Sequence, residues 1–155
     1  MVVGTILQFG LVLVALSMWY AHFVHMTPGL ALGHVHSFLD AAHRLDVAKS
    51  AATFRADASL FPTLSRNLYN TDSTRTAYLV NFLAIDGLRV VDRELLCIQT
   101  VVPGSTFLVA MHVTWGMPTG PVVARMSFIV DAGGIAHLHS SIAPPAYERA
   151  TTTPM

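Results

Sequence analysis

Four apolar segments rich in β-branched residues occupy the second half of the chain and most constrain how it can fold. They are residues 88–102, 105–115, 121–131 and 135–142. The connections between them, PGS, GMPTG and AGG, have the glycine- and proline-rich composition of turns between antiparallel strands. The sequence therefore predicts a meander of four antiparallel strands.

Helical patterns precede these strands. Three helices are predicted: residues 33–45, residues 46–61 with Asp46 as N-cap, and a third from Thr71 or Asp72 to residue 85. Helices followed by a run of strands indicate an α+β fold. We expect a cone-shaped, curved antiparallel sheet with the helices packed on one face.

The N-terminal part of the chain has the pattern of a membrane span. The first 39 residues contain no Asp, Glu, Lys or Arg, and residues 5–24 are almost continuously apolar. A helix of about 20 residues is about 30 Å long, which matches the hydrocarbon core of a bilayer. Residues 1–26 are therefore predicted to form one transmembrane helix, followed by a linker at residues 27–33. A signal peptide and a buried soluble helix are the alternatives.

Composition limits the remaining possibilities. Nine basic residues balance nine acidic ones, so no positive field is available to attract nucleic acid. The single Cys97 can form neither an internal disulfide nor a thiolate metal site. Residues 34–146 are long enough for one folded domain, and residues 147–155 are interpreted as a surface tail.

Several motifs in this domain resemble a known family. They are LFPTLS at residues 60–65, TAYLVNFL at 76–83, VVARMSFIV at 122–130 and IAHLHSSIAPP at 135–145. The chain resembles the calmodulin-dependent kinase II association-domain-like branch of the nuclear transport factor 2-like (SnoaL-like) superfamily, which includes the iota-class carbonic anhydrases. The resemblance implies a cone-shaped α+β fold and frequent homo-oligomers.

The resemblance also implies a site. In iota-class enzymes the pocket is lined by the threonine of PTLS, a tyrosine of the next helix, and the histidine and serine of an HSS motif; the matching residues are Thr63, Tyr78, His139 and Ser141. A metal-independent carbonic anhydrase, a lyase without a cofactor, would use the imidazole to handle a proton and the hydroxyls to hold oxygens. Leu138 stands where the family commonly has another histidine.

Strand alternation places His137, His139 and Ser141 on one face, which we expect to point into the cone. The alternative for Thr63, Tyr78, His139 and Ser141 is that they are ordinary core polar groups, hydrogen-bonded to one another. His137 and His139, with His112, are also candidate zinc ligands, but no metal is predicted because a lone histidine is more often an ordinary hydrogen-bonded residue. Arg125 either holds an anion or pairs with a carboxylate on the outer face.

Two functions follow as expectations. The first is a carbonic-anhydrase-like domain anchored by a single span in a plastid thylakoid or other organellar membrane, handling carbon dioxide or bicarbonate, or another small molecule. The alternative is a non-catalytic accessory subunit of a photosynthetic or respiratory complex, with the helix against other subunits. His22 or His25 could then ligate a pigment, although histidines at that depth usually lie at the interface.

Overall fold

The computed structural model describes residues 25–62, 64–65 and 67–142. These residues form three helices and five strands. In chain order they are α1 (Pro28–His43), α2 (Val47–Ala52), β1 (Phe54–Phe61), α3 (Asp72–Leu83), β2 (Arg89–Val102), β3 (Thr106–Met117), β4 (Gly120–Asp131) and β5 (Gly134–Ile142).

Helix α1 starts earlier than predicted. The hydroxyl of Thr27 accepts a hydrogen bond from the amide of Leu30 at 3.2 Å. Pro28 follows at a position where its missing N–H is not needed. Residues 27–33 therefore form the cap and first turns of α1, and the linker predicted there is wrong. Asp46 and Thr71 cap α2 and α3, which confirms those two predicted helix starts.

The predicted second helix is wrong in its second half. Helix α2 ends at Ala52, and Phe54–Phe61 is strand β1. Phe54 and Ala58 are four residues apart and both buried, which imitates a helical stripe. Positions four apart share a side in a strand as well as in a helix, so these two residues do not distinguish the two elements. The pairing of β1 with β5 shifts register between Phe54 and Ser59, and Ala56, which regular alternation would bury with them, is exposed.

The sheet has the strand order β1-β5-β4-β3-β2. Strands β2 to β5 form the predicted antiparallel meander, joined through β2–β3, β3–β4 and β4–β5 pairs. Strand β1 pairs with β5 in parallel. The sheet is thus antiparallel over four strands and parallel at one edge.

The helices cover one face of the sheet, here called the inner face; the opposite one is the outer face. The ring of Phe38 on α1 meets those of Phe54 and Phe128 edge-on, with centroids 5.4 and 6.1 Å apart. Burial alternates along β3, whose buried side chains are Phe107, Val109, Met111, Val113 and Trp115. The predicted α+β arrangement, with helices on one face of the sheet, is confirmed.

Some predictions lie outside the described residues. These are the membrane helix apart from His25 and Met26, the tail at residues 147–155, Thr63 and His22. Within the described ranges no helix has the length and apolar character needed to cross a membrane.

Candidate functional site

The orientation of β5 decides which side chains face the helices. Leu138 is 2% exposed and Ser140 is 9% exposed, and both lie on the inner face. His139, one residue from each, is exposed on the outer face, as strand alternation requires. The expectation that His137, His139 and Ser141 point into the cone is therefore wrong. Leu138 takes the inner side because it pairs with the buried Phe128 of β4.

A small apolar cavity of about 50 Å³ lies between the inner face, α1 and α3. Its lining side chains are apolar except for Tyr78, Ser140 and the indole of Trp115. The lining residues are Phe38, Leu60, Pro62, Leu64, Tyr78, Leu79, Phe82, Trp115, Met117, Val122, Ala124, Met126, Leu138, Ser140 and Ile142. Tyr78 is the one predicted site residue that the described structure places here.

The phenol of Tyr78 stays protonated at neutral pH. Burial, and to a smaller extent the neighbouring Tyr69, raise the pKa of Tyr78 above its ordinary value. Its ring stacks on Phe82 with centroids 5.8 Å apart, which fixes its position on α3. Tyr78 can therefore donate a hydrogen bond to a guest, but it is not a base.

His139 and Ser141 line a separate, open groove of about 370 Å³. The ring of His139 stacks on Phe61 of β1, with centroids 5.5 Å apart. Pro62 and Ser65, from the PTLS motif, also line the groove, and the hydroxyl of Ser65 lies 2.9 Å from that of Tyr69. The structure thus brings the PTLS and HSS motifs together, but on the other side of the sheet edge from Tyr78.

The cavity and the groove are neighbours. Pro62, Ser140 and Ile142 line both. The two spaces therefore adjoin at these three residues.

The histidines weighed as metal ligands are engaged elsewhere. Nδ1 of His137 lies 2.5 Å from the hydroxyl of Ser59, and Nδ1 of His112 lies 3.2 Å from a carboxylate oxygen of Glu94. Burial, and next the charge of His139, lower the pKa of His137, so its ring is neutral at pH 7. Within the described ranges no three His, Cys, Asp or Glu side chains are grouped as metal ligands would be.

Arg125 lies on the outer face, where its register partners are His112 and Ser141. Its side chain is exposed. Among the described residues it forms no ion pair. Of the two interpretations from the sequence, pairing with an outer-face carboxylate is therefore not observed.

Arg75 is a structurally important residue that sequence reasoning missed. It is only 1% exposed. Its guanidinium donates to the carbonyl oxygens of Arg55, Ala56 and Ala58, where β1 leaves register with β5. Arg75 therefore holds the irregular part of β1 in place. The only sequence signal is its spacing of four from Leu79, which puts it on the buried side of α3.

No protein-family model matches the chain, and no curated protein matches it in sequence. Solved structures do match. A nuclear transport factor 2-like protein of unknown function from Pseudomonas putida aligns with TM-score 0.63 and 17% identity, over 79% of this chain and 92% of that one. A ketosteroid isomerase-like protein from Erwinia carotovora atroseptica aligns with TM-score 0.62 and 16% identity, over 76% of this chain and 96% of that one.

A further match supports the branch named from the sequence motifs at the level of fold. A putative calcium/calmodulin-dependent protein kinase II association domain from Xanthomonas campestris aligns with TM-score 0.56 and 21% identity, over 71% of this chain and 83% of that one. Identities this low establish the fold and leave the iota-class carbonic anhydrase assignment a prediction. The described residues of this chain thus have the nuclear transport factor 2-like fold.

Proposed function

We propose that this domain binds a small neutral molecule in the cavity under the sheet, with carbon dioxide the best-fitting guest, and that the N-terminal segment anchors it to a membrane. The observation that carries the proposal is the cavity itself, which is apolar and only about 50 Å³ in volume. The uncharged stretch of residues 5–24 supports the anchor.

Cavity volume limits the size of the guest. A cavity of roughly 150 Å³ accommodates benzene, which has six heavy atoms. A volume one third as large suits a guest of about two or three heavy atoms. Carbon dioxide has that size, whereas a steroid would require the helices to move away from the sheet.

The lining selects a neutral guest. No acidic or basic side chain is among the residues that line the cavity, apart from the protonated phenol of Tyr78. Moving bicarbonate from water into such a space would leave a buried charge without a partner. The cavity therefore favours carbon dioxide over bicarbonate, with the Tyr78 hydroxyl as a donor to one guest oxygen.

Binding can be measured with the methionine methyl groups. Met117 and Met126 line the cavity, whereas Met111 is buried on the same face but does not line it. The full chain is labelled at its methionine methyl groups and titrated with dissolved carbon dioxide at constant pH. We expect the methyl NMR signals of Met117 and Met126 to shift saturably and that of Met111 to stay unchanged. Nitrous oxide, a neutral molecule of the same shape, should have the same effect. Ala124→Leu should fill the cavity and abolish the shift. Equal or absent shifts at all three methionines contradict the proposal.

Carbonic anhydrase activity is the second candidate, and the meeting of the PTLS and HSS motifs in the groove favours it. Water attacks the carbon of carbon dioxide, and its proton passes to the imidazole of His139, giving bicarbonate and imidazolium. The hydroxyls of Ser65 and Ser141 hold the product oxygens. The guest would reach this groove across the wall that Pro62, Ser140 and Ile142 share.

Stopped-flow hydration of carbon dioxide by the full chain in nanodiscs tests this candidate. A rate above the uncatalysed one that falls to background in His139→Ala, but not in Ser105→Ala at the opposite end of the sheet, supports catalysis. Background rates for all three proteins rule catalysis out. A domain that passes the methionine test and fails this one is a binding domain, in agreement with the alternative of a non-catalytic accessory subunit.

A further inference from the structure

The beginning of the described chain is fixed to the turn between β2 and β3. The amide of Met26 donates a hydrogen bond to the carbonyl of Gly104 at 3.0 Å, and its side chain is buried in the core. His25 also touches this turn, because a Cβ at Gly104 would lie 3.1 Å from its Nδ1. The N-terminal segment therefore enters the domain at this hairpin.

The apolar segment cannot end far from the hairpin. Met26 is only two residue steps from residue 24, the last of the apolar stretch. Two residues of chain span at most about 7 Å. Any membrane that receives this segment must therefore lie next to the hairpin tip, defined here as residues 101–105.

The hairpin tip has the surface chemistry of a lipid contact. Val101 and Val102 are 52% and 48% exposed, and the sequence VVPGS carries no charge. The last charged residue before the tip on β2 is Glu94, seven residues and on the order of 20 Å away. The acidic residue at the end of β4 is Asp131, which is paired with Arg55.

Exposed apolar side chains at an uncharged tip favour the boundary between headgroups and acyl chains. Because the tip carries no charged side chain, its burial at this boundary does not require a charge to leave water. Two valines bury too little surface to hold a domain at a bilayer alone, so the contact orients a domain that is already tethered. From these observations we infer that the hairpin tip rests in the lipid surface beside the anchor, an inference that depends on the membrane anchor of the proposed function.

The contact determines where the cavity sits. Strand β3 runs from Thr106 at the tip to Met117, which lines the cavity, and 11 residue steps of strand cover about 36 Å. The open groove at Ile142 is likewise at the end of β5 away from the tip. With the tip in the lipid surface, the cavity and groove face the aqueous phase and take their guest from water rather than from the bilayer.

Site-specific labelling tests this orientation in the full chain. In a Cys97→Ser background, Val102→Cys and Thr119→Cys place an environment-sensitive fluorophore at the tip and at the exposed β3–β4 turn at the opposite end of the sheet. The proteins are reconstituted into phosphatidylcholine vesicles. The label at position 102 should show a blue-shifted emission, quenching by brominated lipid and protection from aqueous iodide. The label at position 119 should behave as in water.

Vesicle flotation separates the two ways in which the inference can fail. Chains that float with the vesicles while both labels remain water-like retain the anchor and overturn the tip contact. Chains that do not float overturn the anchor and the tip contact together. Unchanged circular dichroism of both labelled proteins shows that neither substitution has unfolded the domain.

Discussion

Along β5, Leu138 and Ser140 face the helices, whereas His139 and Ser141 face away from them. The inner side is the wall of an apolar cavity, and the outer side carries imidazole and hydroxyl groups in a groove. Successive side chains of a strand point to opposite faces, so residues one position apart belong to different environments. The apolar cavity and the imidazole of His139 therefore lie on opposite faces of β5.

The contrast predicts unequal stability losses for neighbouring residues. Leu138→Ala removes a buried side chain from the core and should lower the free energy of unfolding by about 2–5 kcal/mol. His139→Ala loses chiefly the stacking on Phe61 and should cost less than about 1.5 kcal/mol. Urea denaturation of both variants, followed by circular dichroism, provides the comparison. Equal losses would show that the outer face is as well covered as the inner one.

Two arginines allow the same comparison between a buried and an exposed position to be made with charged side chains. Arg75→Met keeps the length of a buried side chain but removes the donors to three β1 carbonyls. Because β1 is an edge strand and water can reach some of these carbonyls, we expect the free energy of unfolding to fall by about 2–3 kcal/mol. Arg125→Met, on the outer face, should change stability by less than about 0.5 kcal/mol. Hydrogen exchange should quicken at β1 amides in Arg75→Met only. Protection that is unchanged there would show that Arg75 does not hold β1.

The smallest expected effect is a pH dependence from His137. Its pKa is lowered in the folded state, first by burial and then by His139, from an ordinary value of 6.5. The unfolded chain therefore binds more protons, so this contribution to stability is present above pH 6.5 and is lost as the pH falls through the folded-state pKa. His137→Gln should lose less stability between pH 7.5 and pH 5 than the unmodified chain.

Denaturation at a series of pH values in that range measures the difference between the two slopes. Identical slopes would mean that burial and the charge of His139 do not disfavour the charged imidazole of His137.

Local signals in the sequence are sufficient to predict most strands of the sheet and two of the helix starts. The turns PGS, GMPTG and AGG separate β2 to β5, and Asp46 and Thr71 start helices because their side chains accept from nearby backbone amides. Strand β1 resembles a helix in the sequence because Phe54 and Ala58, four positions apart, share a side in either element, and the irregular pairing leaves Ala56 between them exposed. That pairing depends on β5 and on Arg75, both distant in sequence.

The candidate site was predicted less well for a related reason. Alternation separates His139 and Ser141 from Leu138 and Ser140, but it does not say which pair faces the helices. The choice depends on the neighbouring strand, where Phe128 is fully buried opposite Leu138. The family motifs brought the right segments together, since Pro62, Ser65 and His139 line one groove. They did not show that Tyr78 lies on the other side of the boundary.

Three residues lie at the boundary between the cavity and the groove. Pro62, Ser140 and Ile142 each contribute to both spaces, so the cavity and the groove adjoin there. A change of side-chain size at any one of them therefore alters the apolar cavity and the groove beside His139 together.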